Sequence, residues 1–148
     1  MTETNPKRKL IFTLVLPLAI ILFGTITKWQ YVYVEDGPDD FLYGFPLTFI
    51  CSGWHTSMSF QIFIAELLFD FFVYFIFTFT IVTFIDRFIK PIVVRKYLKF
   101  GLYGFATLIL LLYGLVFSNP DNIFEIKKDF KYKEVRNGYK FVWQQDRK

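Results

Sequence analysis

From residue 60 the chain reads Phe60-Gln61-Ile62-Phe63-Ile64-Ala65-Glu66-Leu67-Leu68-Phe69-Asp70-Phe71-Phe72-Val73-Tyr74, then continues to Ile85 without another charge. Two carboxylates four residues apart share one face of a helix. The uncharged run Phe71–Ile85 is 15 residues. At 1.5 Å per residue it spans about 22 Å, short of a hydrocarbon core of roughly 30 Å. A helix crossing a bilayer here places Asp70 within the hydrocarbon depth and Glu66 at or just below the outer interface.

Two further uncharged runs flank this one, Leu10–Thr27 with 18 residues and Phe100–Ser118 with 19. Composition agrees with their apolar character. Of 148 residues, 54 % are hydrophobic and 22 % aromatic, with 21 Phe. A soluble domain this short needs more polar cover, which excludes an ordinary globule, a disordered tail and a disulfide-stapled module. The expected fold is an α-helical integral membrane protein with three transmembrane helices, at about 10–27, 60–85 and 100–118. Helices are favoured because lipid offers the backbone no hydrogen-bond partner. Lys7, Arg8 and Lys9 before the first run resemble a signal peptide, but the exit Gly24-Thr25-Ile26-Thr27-Lys28 lacks an Ala-x-Ala site, so the run is read as an uncleaved span.

Positive charge sets the orientation. Lys7, Arg8 and Lys9 precede the first run, and Arg87, Lys90, Arg95, Lys96 and Lys99 occupy the 86–99 connection. The 28–59 connection carries Lys28 against Glu35, Asp36, Asp39 and Asp40. The N-terminus and 86–99 are therefore expected in the cytoplasm of a bacterium, with 28–59 and the tail 119–148 outside the inner membrane. The tail's own basic residues, Lys127 to Lys148, pull the other way. A fourth span through Phe41–Met58 would reverse the tail, but Gly44, Pro46, Gly53 and His55 favour an interfacial or re-entrant loop.

Outside the bilayer, Trp29-Gln30-Tyr31-Val32-Tyr33-Val34 alternates with the period of a strand. Asn137-Gly138 is the preferred pair for a two-residue hairpin turn. A small extracytoplasmic β-rich cap is expected from strand 29–34 and a C-terminal hairpin at 129–144.

Chemistry-bearing residues are few. Glu66 and Asp70 form the candidate intramembrane pair, because buried carboxylates in a membrane are costly and mark either a pathway or a structural pairing. Lys28 and His55 are the expected pairing partners. Cys51 and His55 form Cys-x3-His, yet a thiol nucleophile needs a base within reach and a zinc site needs three or four ligands. The chain has one Cys and one His. No metal site, cofactor or catalytic residue is expected. Gly101, Gly104 and Gly114 do not form Gly-x3-Gly. No phosphate loop, metalloprotease motif, nucleophile elbow or nucleic-acid module is present.

The stretch Tyr43-Gly44-Phe45-Pro46-Leu47-Thr48-Phe49, followed by the acid-bearing Phe-rich run, resembles small uncharacterised bacterial multi-span membrane proteins. In these a Gly-aromatic-Pro-Leu loop precedes a span with an acidic outer turn. The resemblance covers residues 40–87 and implies no activity. The expected role is non-enzymatic: an inner-membrane accessory protein, embedded in the lipid bilayer, presenting its cap to a protein partner or to further copies of itself. The alternative is a small transporter or ion-conducting oligomer using Glu66 and Asp70.

Overall fold

The computed structural model describes residues 10–35, 37–56 and 58–144. Lys7, Arg8, Lys9, Asp36 and Lys148, used in the reading above, lie outside the described residues. In chain order the elements are a π-helical turn Ile11–Val15, α1 (Leu16–Thr25), β1 (Ile26–Val34), β2 (Asp40–Tyr43), β3 (Ile50–Ser52), β4 (Phe60–Phe63), α2 (Ile64–Phe84) and a second π-helical turn Ile85–Ile89. After these come α3 (Lys96–Phe117), β5 (Ile123–Glu125) and β6 (Tyr132–Phe141). The described residues form two compact units, one made of residues 10–24 with Phe71–Tyr113, the other of residues within Thr25–Asp70 with 114–144.

The second unit is a six-stranded mixed sheet in the order β5-β4-β3-β2-β1-β6. All neighbours run antiparallel except β4 and β5, which are parallel with Gln61 opposite Ile123. β1 is paired on both sides, with Trp29 opposite Tyr43 of β2 and Gly138 of β6. Its alternating residues Val32 and Val34 point into a core shared with Leu42, Cys51 and Phe63. Phe130 closes that core, packing on Trp54 and Phe63 with ring centroids 5.2 and 5.9 Å apart. Burying a side chain such as Phe63 contributes about 2–3 kcal/mol.

This sheet corrects the expected fold. Helix accounts for 48 % of the described residues and strand for 25 %, so a mostly helical membrane fold with three spans and a small cap is not what the chain builds. The run at 10–27 gives a short apolar helix, Ile11–Thr25. At about 22 Å it is shorter than the roughly 20-residue length expected of a span. The chain then becomes β1 at Ile26, where the β-favouring Ile26-Thr27 begins an alternating segment. The run at 60–85 likewise starts as strand, Phe60–Phe63, because Gln61 and Ile62 complete the β3 ladder before the helix begins. Within the proposed re-entrant loop lie β2 and β3.

The hairpin at 129–144 does not form. β6 runs straight through Asn137 and Gly138, which lie opposite Gln30 and Trp29. A nine-residue partner strand outcompetes a two-residue turn, and the ladder takes up one extra residue of β6 at a bulge opposite Tyr31 and Val32. A Cβ at Gly138 would lie 2.9 Å from Trp29 Nε1, so glycine here admits the indole rather than a turn.

The first unit contains α1, the remainder of α2 and most of α3. Ile64–Ile89, including its π-helical end, and Lys96–Phe117 are long and apolar enough to cross a membrane by length and composition. Only 17 % and 11 % of their apolar windows are buried. α1 runs alongside α3 in the same direction: the Tyr103 hydroxyl donates to the Phe12 carbonyl at 2.7 Å, and a Cβ at Gly24 would lie 2.3 Å from Ile109 Cγ2. Gly24 thus permits a helix contact that any side chain would block. Phe23 completes it, edge-on to Phe71 and Tyr74.

Candidate functional site

Glu66 and Asp70 lie on the first two turns of α2, which follows β4 with no intervening loop. The positive end of the helix favours an acid in its first turn, and Glu66 occupies it. Both side chains are buried, Glu66 with 8 % of its surface exposed and Asp70 with none.

Their partners are backbone amides of two loops. The Leu47 N–H donates to Asp70 Oδ1 at 2.9 Å. The Lys128 N–H donates to Glu66 Oε1 at 3.2 Å. Leu47 belongs to the turn joining β2 to β3, which contains a cis Phe45–Pro46 bond. The turn needs glycine at residue 44, where φ is 141° and a Cβ would lie 2.2 Å from the Leu47 carbonyl oxygen. It closes through the Phe49 N–H on the Tyr43 carbonyl and is tied to β4 through the Phe63 N–H on the Phe49 carbonyl.

Lys128 joins the two loops. Its Nζ donates to Thr48 Oγ1 at 2.8 Å and to the Tyr132 hydroxyl at 3.0 Å, and lies 4.4 Å from the Tyr132 ring centroid. Thr48 is itself buried. The Ala65 N–H on the Ile126 carbonyl adds a further link from α2 to the second loop. The result is a clamp: two carboxylates at the head of one helix grip two loops that a lysine bridges. Glu66 Oε2 and Asp70 Oδ2 remain buried without a hydrogen-bond partner among the described residues.

The groups that hold the carboxylates are therefore the Leu47 and Phe45 amides for Asp70 and the Lys128 amide for Glu66, and the expected partners Lys28 and His55 are used elsewhere. Lys28 lies on β1 opposite Tyr139, its carbonyl accepting the Gly44 N–H at 3.0 Å. His55 lines an open groove of about 310 Å³ with Asp39, Asp40, Ser52, Trp54 and Thr56. Asp40 in that groove is committed to structure. Its carboxylate accepts the Phe41 N–H, the Ser52 N–H and the Ser52 hydroxyl, joining β2 to β3. Burial raises its pKa above the ordinary carboxylate value, against the pull of these hydrogen bonds.

The Cys51–His55 arrangement is not poised for nucleophilic chemistry. Cys51 is buried in the sheet core and its thiol donates to Gln61 Oε1 at 3.4 Å. Burial, with the nearby Asp40 charge, pushes the thiol up to about 12. A thiol held neutral in this way is a packing group. Among the described residues no three His, Cys, Asp or Glu side chains gather as metal ligands.

Lys128, Thr48 and the Leu47 amide escape a sequence reading because no local signal distinguishes them. Lys128 follows another lysine, and only the parallel pairing of β4 with β5 brings it to a residue 62 positions away. Comparison with protein-family models, with curated proteins and with solved structures finds no match.

Proposed function

We propose that this protein is a non-enzymatic accessory protein of the bacterial inner membrane, in which α2 and α3 cross the bilayer and display the six-stranded sheet on the outer side to a protein partner or to further copies of the chain. The supporting observation is the use made of the two acids. Each buried carboxylate spends an oxygen on a backbone amide of a sheet-unit loop, which is the work of a clamp. A conduction pathway would instead leave them facing water.

Connectivity supports the topology. β4 leads directly into α2, and β5 follows α3 by six residues, yet β4 and β5 pair side by side. Two crossings return the chain to the side it left. β6, paired with β1, stays with them, so the basic tail shares a side with residues 26–63 despite its charge. The basic 86–99 connection then faces the cytoplasm.

The second reading, a small transporter or ion-conducting oligomer, rests on Glu66 Oε2 and Asp70 Oδ2, two buried oxygens without partners among the described residues. Reconstitution of the full chain into vesicles separates the two readings. The accessory reading expects proton and cation permeability equal to that of protein-free vesicles, for wild type and for Asp70→Asn alike. A flux that appears with the wild type and disappears in Asp70→Asn would replace it with the transport reading.

A further inference from the structure

We propose that the 85–99 connection is a binding surface for the phosphate headgroups of anionic phospholipids, an inference that rests on α2 and α3 crossing a bilayer. After α2 ends, the Asp86 carboxylate accepts the Ile92 N–H at 2.8 Å and folds the connection back on itself. Asp86 is the connection's one acid, and its Oδ1 is used in this turn. Arg87, Lys90, Arg95, Lys96 and Lys99 are all exposed. Among the described residues none of the five is drawn into an ion pair. Three lie against exposed rings of their own helix ends instead: Arg87 5.5 Å from the Phe88 centroid, Lys96 6.0 Å from Phe100 and Lys99 5.8 Å from Tyr103. The first turn of α3 carries no acid to offset them.

Apolar side chains alternate with these cations and are equally bare, with Phe88 68 %, Val93 86 % and Tyr97 89 % exposed. Such a surface suits neither water nor a dry protein core. It matches a membrane boundary, where apolar groups enter the acyl region while cations meet phosphate oxygens. α2 and α3 themselves expose apolar side chains, including Ile76, Phe84, Leu108 and Leu111. The occupant is therefore a lipid of the leaflet that surrounds these helix ends, selected by its negative charge.

The test uses full-length protein in neutral detergent, with native mass spectrometry counting retained phosphatidylglycerol against phosphatidylcholine supplied in equal amount. The wild type retains phosphatidylglycerol preferentially, and inorganic phosphate does not displace it. The triple variant Arg95→Gln, Lys96→Gln, Lys99→Gln loses the preference, by about fivefold per cation at a membrane surface. A charge-matched triple variant in the sheet unit, Lys127→Gln, Lys131→Gln, Lys133→Gln, keeps it. Equal retention of the two lipids, or a preference that survives the first variant, overturns the proposal, and displacement by phosphate reassigns the surface to a soluble anion. Protein released from native membranes by alkaline extraction would instead refute the membrane reading beneath it.

Discussion

Replacing Asp70 by Ala and by Asn separates the role of its oxygen from the role of its charge. In the wild type Asp70 Oδ1 accepts the Leu47 N–H at 2.9 Å, at a residue with no exposed surface. Alanine removes the acceptor and strands the amide. A hydrogen bond to a charged group contributes about 1.5–3 kcal/mol, and an unsatisfied buried donor costs a similar amount, so the Ala variant should lose about 2 kcal/mol. Asparagine keeps an acceptor oxygen in the same place and removes an ionisable carboxyl whose other oxygen has no partner. Losing the cost of burying that group offsets the weaker neutral hydrogen bond, and the Asn variant should stay within about 1 kcal/mol of wild type. Thermal unfolding in detergent measures the stabilities, and hydrogen exchange at the Leu47 amide locates the effect. Exchange there should quicken in the Ala variant and stay slow in the Asn variant. Equal destabilisation by both would show that the charge, not the acceptor, holds the loop, and would refute the clamp as described.

Cys51 should resist alkylation in the folded protein. With its thiol at about 12 instead of 9.0, the thiolate fraction at pH 8 falls about a thousandfold, and rapid labelling before unfolding would contradict its burial. The same shift gives a pH signature: the thiol is neutral in both states well below pH 9.0, while above it the unfolded chain ionises first, so stability falls toward pH 12. This part of the loss should vanish in Cys51→Ala, read from unfolding at stepped alkaline pH. Gly138→Val should displace the Trp29 indole and cost about 1–3 kcal/mol. Amide protection should fall in β1 around Trp29 as well as in β6, whereas loss confined to the tail would favour a local hairpin. Gly24→Ala drives a methyl into Ile109 and should destabilise the helix unit by about 1–3 kcal/mol. Combining it with Ile109→Ala should recover part of that loss in a double-mutant cycle, and strict additivity would count against the contact.

Local patterns were legible where they did not depend on a distant partner. The alternation at residues 29–34 marks the last six residues of β1, and the apolar runs after Asp70 and after Phe100 are helical. What escaped were choices made by tertiary pairing. Phe60–Phe63 carries the same apolar residues as the helix it precedes, and only the β3 ladder makes it a strand. Asn137-Gly138 has the chemistry of a turn, but β1 supplies a longer partner. The acid pair stood out because charge is rare in that run. Its partners did not, since a backbone amide has no sequence signature and Lys128 reaches the site through a parallel pairing across 62 residues.

The claim that one helix pair displays one sheet on the outer side is tested most directly by labelling introduced cysteines with a membrane-impermeant maleimide in intact cells. Native Cys51 is buried and leaves a quiet background. Asp39→Cys in the sheet unit and Lys131→Cys beyond α3 should both react from outside, while Arg95→Cys between the helices should react only after permeabilisation. Labelling of Arg95→Cys in intact cells, or reaction of Asp39→Cys and Lys131→Cys from opposite sides, would contradict the account.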